Sequence, residues 1–185
     1  MNSSKNNFYF ALGLILIAAF ARMIPHYPNF TPLCAIALFG GKYFNNKYIA
    51  YLLPLLAIWF SDILINNFIL NNYFDGFILF YSGFYWQYGS FILITLIGRK
   101  TLKNISYLRL LGISISSSLL FFIISNFGVW ISSSFYSMDI FGLVACYVAA
   151  IPFYYGTLSG TIFYSFFLFG SYELLSQKLS KVTLN

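Results

Sequence analysis

The sequence predicts an all-α integral membrane protein, a six-span helical bundle with both termini on the inner side. Three observations carry this. Only 8% of the 185 residues are charged and 60% are hydrophobic, with a mean hydropathy of +0.79, whereas soluble domains carry about 25% charged residues. Six apolar runs follow one another, separated by short polar connections. The basic residues fall almost entirely on one side of the layout that those runs define. At this length a single transmembrane domain suffices.

The first span covers residues 8–24. Its core, 8–21, is an uncharged stretch of 14 residues after Lys5, and Ala19-Phe20-Ala21 also meets the small-x-small rule for signal-peptide cleavage. A retained span is preferred because the apolar pattern resumes straight after it. Between the first and second spans lies a prolyl corner, where Pro25, Pro28 and Pro32, three of the five prolines, bracket the sole histidine, His26. Proline fixes φ and removes a donor, so one helix must stop near Ile24 and the next can start around Thr31 with Pro32 in its first turn. In lipid, irregular backbone survives only where protein or a water-filled cavity covers it. The corner is therefore either a proline-held connection or the wall of a site.

The second span, 30–44, is short and rich in small residues, with Ala37 and Gly41 four apart, as in tightly packed buried helices. The third, 48–65, is interrupted by one charge, Asp62; the fourth, 77–98, has none. The fifth, 110–131, carries Gly112, Ser114, Ser116, Ser117 and Ser118 toward one end and Asn126 and Trp130, one turn apart, toward the other. The final apolar run, 140–175, has 36 residues, which as one helix would reach about 54 Å against a hydrocarbon core of about 30 Å. A break is expected at Pro152, giving a short interfacial or re-entrant piece, 140–151, and a sixth span, 153–172, that carries a GxxxG at Gly156 and Gly160.

With the N-terminus inside, the inner side receives Lys5, Lys42, Lys47, Arg99, Lys100, Lys103, Arg109, Lys178 and Lys181, and the outer side only Arg22. Nine against one is a strong positive-inside bias, and it inverts if the short second run does not cross. The net charge of +6 thus reports topology and does not call for a nucleic-acid partner. Cys34 and Cys146 lack CxxC spacing and sit among apolar residues, as small buried side chains do.

This layout gathers polar and aromatic residues at the outer face. Arg22, His26, Asn29 and Thr31 lie at the corner, Trp59 and Asp62 end span three, Tyr81, Tyr85 and Trp86 lie in the outer half of span four, Asn126 and Trp130 close span five, and Tyr147, Tyr154 and Tyr155 flank Pro152. An aromatic belt also places Trp and Tyr there, but it does not account for Asp62 and Asn126, because polar groups within spans face a cavity or a partner. Asp62 is expected to pair with Arg22, at the same depth and of opposite sign, as a structural latch or as part of a site. The candidate substrate-binding set is Arg22, Asn29, Thr31, Trp59, Asp62, Tyr85, Trp86, Asn126, Trp130 and Tyr147, forming an outward pocket of aromatic walls and a few hydrogen-bonding groups. One histidine, four carboxylates and no phosphate loop give no basis for an enzyme, a metal site or a cofactor.

Several segments resemble a family of small bacterial membrane proteins carrying a domain-of-unknown-function label. They are Pro28-Asn29-Phe30-Thr31-Pro32, Ala37-Leu38-Phe39-Gly40-Gly41, Ser61-Asp62, the stretch from Ser125 to Trp130, Ala149-Ala150-Ile151-Pro152-Phe153 and the segment from Gly156 to Gly160. That family in turn resembles, more distantly, the S components of energy-coupling-factor (ECF) transporters, six-span subunits that bind a vitamin from outside. The resemblance implies a bacterial cytoplasmic-membrane protein that binds a vitamin-like small molecule within the lipid bilayer and works with an ECF T subunit and two ATPase subunits. S components often dock the T subunit through a small-residue face on the first helix, to which Ala11, Ala18, Ala19 and Ala21 correspond only loosely. The alternative is an assembly protein that binds a protein partner through its GxxxG and serine-rich faces. The charge tally predicts that a fluorescent or phosphatase reporter fused after Asn185 reads as inner, and one inserted in the loop at 66–76 as outer; matched reporter fusions check this.

Overall fold

The computed structural model describes residues 2–102 and 104–182, with the side chains of 6–102 and 104–177. Lys103 and the side chains of Lys5, Lys178 and Lys181 from the charge tally lie outside the described residues. Six α-helices and no strand occur among the described residues: α1 (Asn2–Ala21), α2 (Leu33–Tyr43), α3 (Lys47–Leu64), α4 (Phe84–Thr101), α5 (Tyr107–Ser132) and α6 (Ile140–Val182). Three stretches are long and apolar enough to cross a membrane, Lys47–Ile69, Tyr107–Ser132 and Ile140–Gln177; α1 and α2 are shorter apolar helices.

The architecture is a ring around a centre. α1, α3, α4, α5 and α6 touch in that order and α6 returns to α1, while α2 touches all five. Every residue of α2 from Leu33 to Gly41 is buried, as a helix apolar on all sides requires. Small residues make the approach possible. A methyl group on Gly41 would collide with the Thr95 carbonyl oxygen of α4, one on Gly98 of α4 would lie 3.0 Å from Leu38 Cα, and one on Gly40 would strike the Pro54 ring of α3. The buried, tightly packed second helix expected from Ala37 and Gly41 is thus present, although at 11 residues it is only about 16 Å long.

Helix ends follow local chemistry. Asn46 caps α3, its side chain accepting from Tyr48 N at 2.9 Å and Ile49 N at 3.3 Å. Arg99 donates to the carbonyls of Phe44 and Asn45 at 3.0 and 2.9 Å, satisfying the exit of α2. Asp139 accepts from Gly142 N at 2.7 Å and from Ser137 Oγ at 2.9 Å at the start of α6. These bonds, Gly142 foremost, hold its carboxyl below the ordinary 3.8, so the cap persists above that value and is lost only as pH falls through the lowered one. Lys42, Lys47, Arg99, Lys100 and Arg109 all lie at the end of the bundle where α2 stops.

Two expectations are corrected. The run from 140 does not break at Pro152 into a re-entrant piece and a span 153–172, because α6 is one helix of 43 residues, about 64 Å long. A proline removes a single i→i−4 bond, and Pro54 likewise sits inside a continuous α3. A helix stiff through its proline can extend well past the roughly 30 Å of a hydrocarbon core, as α6 does in length. The fourth helix does not begin at 77; it starts at Phe84, after Gly83 at φ 76°. The segment before it is pinned by Asn67, whose side chain both donates to the Ile78 carbonyl (2.7 Å) and accepts from Ile78 N (2.6 Å).

The GxxxG of α6 is filled from within. A methyl on Gly156 would collide with the Pro28 carbonyl oxygen, and one on Gly160 would lie 2.7 Å from Thr31 N, so the prolyl corner rests its backbone directly on α6. Ser114, Ser117 and Ser118 of α5 are also fully buried, in a helix packed on both α4 and α6. Substituting Leu for Gly160 is expected to destabilise the fold by about 1–3 kcal/mol, with Gly170→Leu, where open space surrounds the Cα, close to neutral; thermal unfolding in detergent distinguishes them.

Candidate functional site

Because α2 is shorter than the helices around it, space remains beyond its N-terminus. A cavity of about 280 Å³ occupies that space, bounded by Arg22 after α1, Asn29 and Thr31 of the corner, Leu33 at the start of α2, Gln87 of α4, Ser125 and Asn126 of α5, and Tyr154 and Thr157 of α6. Phe121, Phe122, Val129, Ala150 and Phe153 complete the wall. The corner reaches the cavity through a left-handed turn at Asn29, φ 58°, the one non-glycine positive φ among the described residues. Asparagine tolerates this conformation better than most residues. Phe30 N donates to the Tyr27 carbonyl at 2.9 Å and closes the turn.

Arg22 is held by an ionic cluster behind the wall. Its Nη1 lies 2.7 Å from Asp62 Oδ1, with the two side chains only 11% and 9% exposed. The same nitrogen donates to Ser61 Oγ, which itself donates to the Ile58 carbonyl at 2.7 Å. Tyr88 of α4 donates its hydroxyl to the other carboxylate oxygen at 2.7 Å. The pair expected from depth and sign thus forms, and its two members stand differently to the cavity. Arg22 is on the wall; Asp62 is not.

Of the ten residues expected at a site, the cavity collects Arg22, Asn29, Thr31 and Asn126. Asn126 also donates Nδ2 to the Phe122 carbonyl at 2.7 Å, which fixes its amide against α5. The other members are engaged elsewhere. Trp59 donates Nε1 to the Leu79 carbonyl at 3.1 Å and stacks on Phe80, anchoring the loop after α3. Tyr85 and Trp86 meet Ser132 Oγ at 3.1 and 3.2 Å, with the Trp86 ring lying over Gly128, and border a separate depression of about 480 Å³. Trp130 donates to the Ser137 carbonyl at 2.9 Å, and Tyr147 to the Ile123 carbonyl at 2.7 Å, tying α6 to α5. These aromatic residues fasten helix ends together rather than face the cavity. His26 is exposed, bonded by Nδ1 to the Tyr27 carbonyl at 2.9 Å. Cys34 and Cys146 are both buried.

The lining residues outside the expected set are Gln87, Ser125, Tyr154, Thr157, the three phenylalanines and the apolar Leu33, Val129 and Ala150. Gln87 had a legible signal, since it is the only carboxamide in the uncharged stretch 77–98. Phe121, Phe122 and Phe153 had none, because which face of an apolar helix turns inward depends on the neighbours. Among the described residues no three of His, Cys, Asp and Glu come together around a possible metal.

Fold and site together define an all-helical bundle with three membrane-length helices and a small polar cavity at one end of its central helix. Over residues 2–182 the chain matches the Family of unknown function (DUF6580), and it belongs to that family. Comparison with curated proteins and with solved structures finds no match.

The ionic cluster yields a stability test. Asp62→Leu leaves the Arg22 charge buried without its partner and is expected to cost roughly 3–5 kcal/mol, whereas Arg22→Met with Asp62→Leu recovers most of that loss. A double-mutant cycle by thermal unfolding measures both.

Proposed function

We propose that this protein is a membrane-embedded binding subunit for the uptake of a vitamin-like small organic molecule, with the cavity above α2 as its site. The observation that carries the reading is convergence. Three helices, Arg22 and the prolyl corner direct hydrogen-bonding side chains into one partly open space between long helices, where polar groups are costly unless something uses them. The reading takes the bundle to cross a bacterial cytoplasmic membrane six times with both termini inside. The cluster of basic residues at the end where α2 stops, opposite the cavity, supports that orientation, so the cavity opens outward.

The assembly reading loses its principal surface, while Gly112 and Ser116 of the serine-rich face stay exposed. Its GxxxG is covered by the chain's own corner and the buried part of its serine face is interior. Coupling to an ECF T subunit and two ATPases stands as an implication of the resemblance. Ala11, Ala18 and Ala19 are turned into the core, so a T subunit would have to dock elsewhere.

Native mass spectrometry of the protein, gently purified from its own membranes, tests the proposal. A retained small molecule is expected, and Gln87→Ala and Asn126→Ala are expected to weaken its retention about tenfold each, the equivalent of one net hydrogen bond, without changing thermal stability markedly. An apo mass that persists in folded protein after incubation with a vitamin panel overturns it.

A further inference from the structure

The charge balance of the cavity reaches the chemistry of its occupant, a step that rests on the binding function proposed above. Among the described residues, Arg22 is the only formally charged side chain on the cavity wall. Its charge is already answered by Asp62 at 2.7 Å, whose second oxygen is taken by the Tyr88 hydroxyl. An ionised occupant of either sign would therefore give up much of its water for a partly closed space with no free counter-charge, an unfavourable exchange.

What the wall offers instead is neutral hydrogen bonding of both signs. Gln87 and Asn29 line the cavity and make no side-chain hydrogen bond among the described residues. Asn126 spends its Nδ2 on the Phe122 carbonyl and keeps its amide oxygen. A carboxamide presents a donor beside an acceptor, and its complement is another amide edge, N–H beside C=O. Arg22 adds donors suited to a carbonyl oxygen, and α2 begins at the cavity with Pro32 as N-cap and no side-chain cap, so its first N–H groups favour an acceptor nearby. Phe121, Phe122 and Phe153 supply flat apolar surface. The volume of about 280 Å³ falls at the lower edge of small-molecule sites, about 300 Å³ upward, which restricts the occupant to one or two rings.

We infer that the cavity takes an uncharged, planar, ring-bearing amide or lactam and rejects carboxylate and cationic analogues of the same shape. The amide edge meets Gln87 and Asn29, the carbonyl oxygen faces Arg22, and the ring lies against the phenylalanines. The neutral amide, not the ring substituents, is the recognised feature.

Titration of the full chain in lipid nanodiscs with isosteric sets tests this. The probes are nicotinamide, nicotinate and the 1-methylnicotinamide cation; benzamide, benzoate and benzamidinium; and uracil as a lactam. Calorimetry at neutral pH is expected to show the neutral member of each set binding at least about tenfold more tightly than either charged member. Gln87→Glu, which adds a negative charge to the wall, is expected to reverse the order in favour of benzamidinium by a similar factor. Preference for a carboxylate in the unmodified protein overturns the inference and makes Arg22 an anion receptor. Absence of binding by every probe, in protein that does retain a native ligand by mass spectrometry, rejects the amide class while the binding function stands. Absence of both removes the two together.

Discussion

The length of α2 governs the structure. Eleven residues at the centre of a ring of helices with 18 to 43 residues cannot fill the space their neighbours enclose. Packing demands that the shorter helix be seated against them along its whole length, which the glycines at 40, 41 and 98 permit by bringing backbone onto backbone. What remains is a gap beyond one end. At the C-terminal end Arg99 and the Asn46 cap close the connection to α3; at the N-terminal end the gap is left as the cavity.

The prolyl corner is the second half of that constraint. Non-helical backbone between long apolar helices needs cover, and α6 provides it by presenting two glycines one turn apart to the carbonyl of Pro28 and the amide of Thr31. The same contact fixes Asn29 and Thr31 on the cavity wall. A motif commonly read as a dimerisation face thus builds a site inside one chain. That α6 continues through Pro152 matters here as well, since a broken helix would uncouple the residues before it, which bond to α5, from the glycines that hold the corner.

Charge is managed in the same economical manner. The buried ion pair links the end of α1 to α3, and the Tyr88 hydroxyl adds α4, so three ring helices are joined at cavity level. Such a pair contributes little net stability relative to well-packed apolar residues, but losing one partner is costly. Its consequence for the site is electrostatic neutrality with a guanidinium still at the wall.

The sequence by itself determined the class, a helical chain with charge-poor apolar runs long enough to cross a membrane, together with helices at 107–132 and 47–64 close to where hydropathy placed them, a corner where three prolines cluster, and the pairing of Arg22 with Asp62 by opposite charge. These depend on local composition and on the cost of burying charge, both readable along the chain. Only the tertiary structure decided that Gly156 and Gly160 face the corner, that Gln87 and Tyr154 turn inward while Trp59, Trp86 and Trp130 tie loops and helix ends, and that Pro152 does not break α6. In a chain that is apolar on nearly every face, periodicity does not distinguish the outer side of a helix from its core side. Which side is which is set by the neighbours, and so is the cavity.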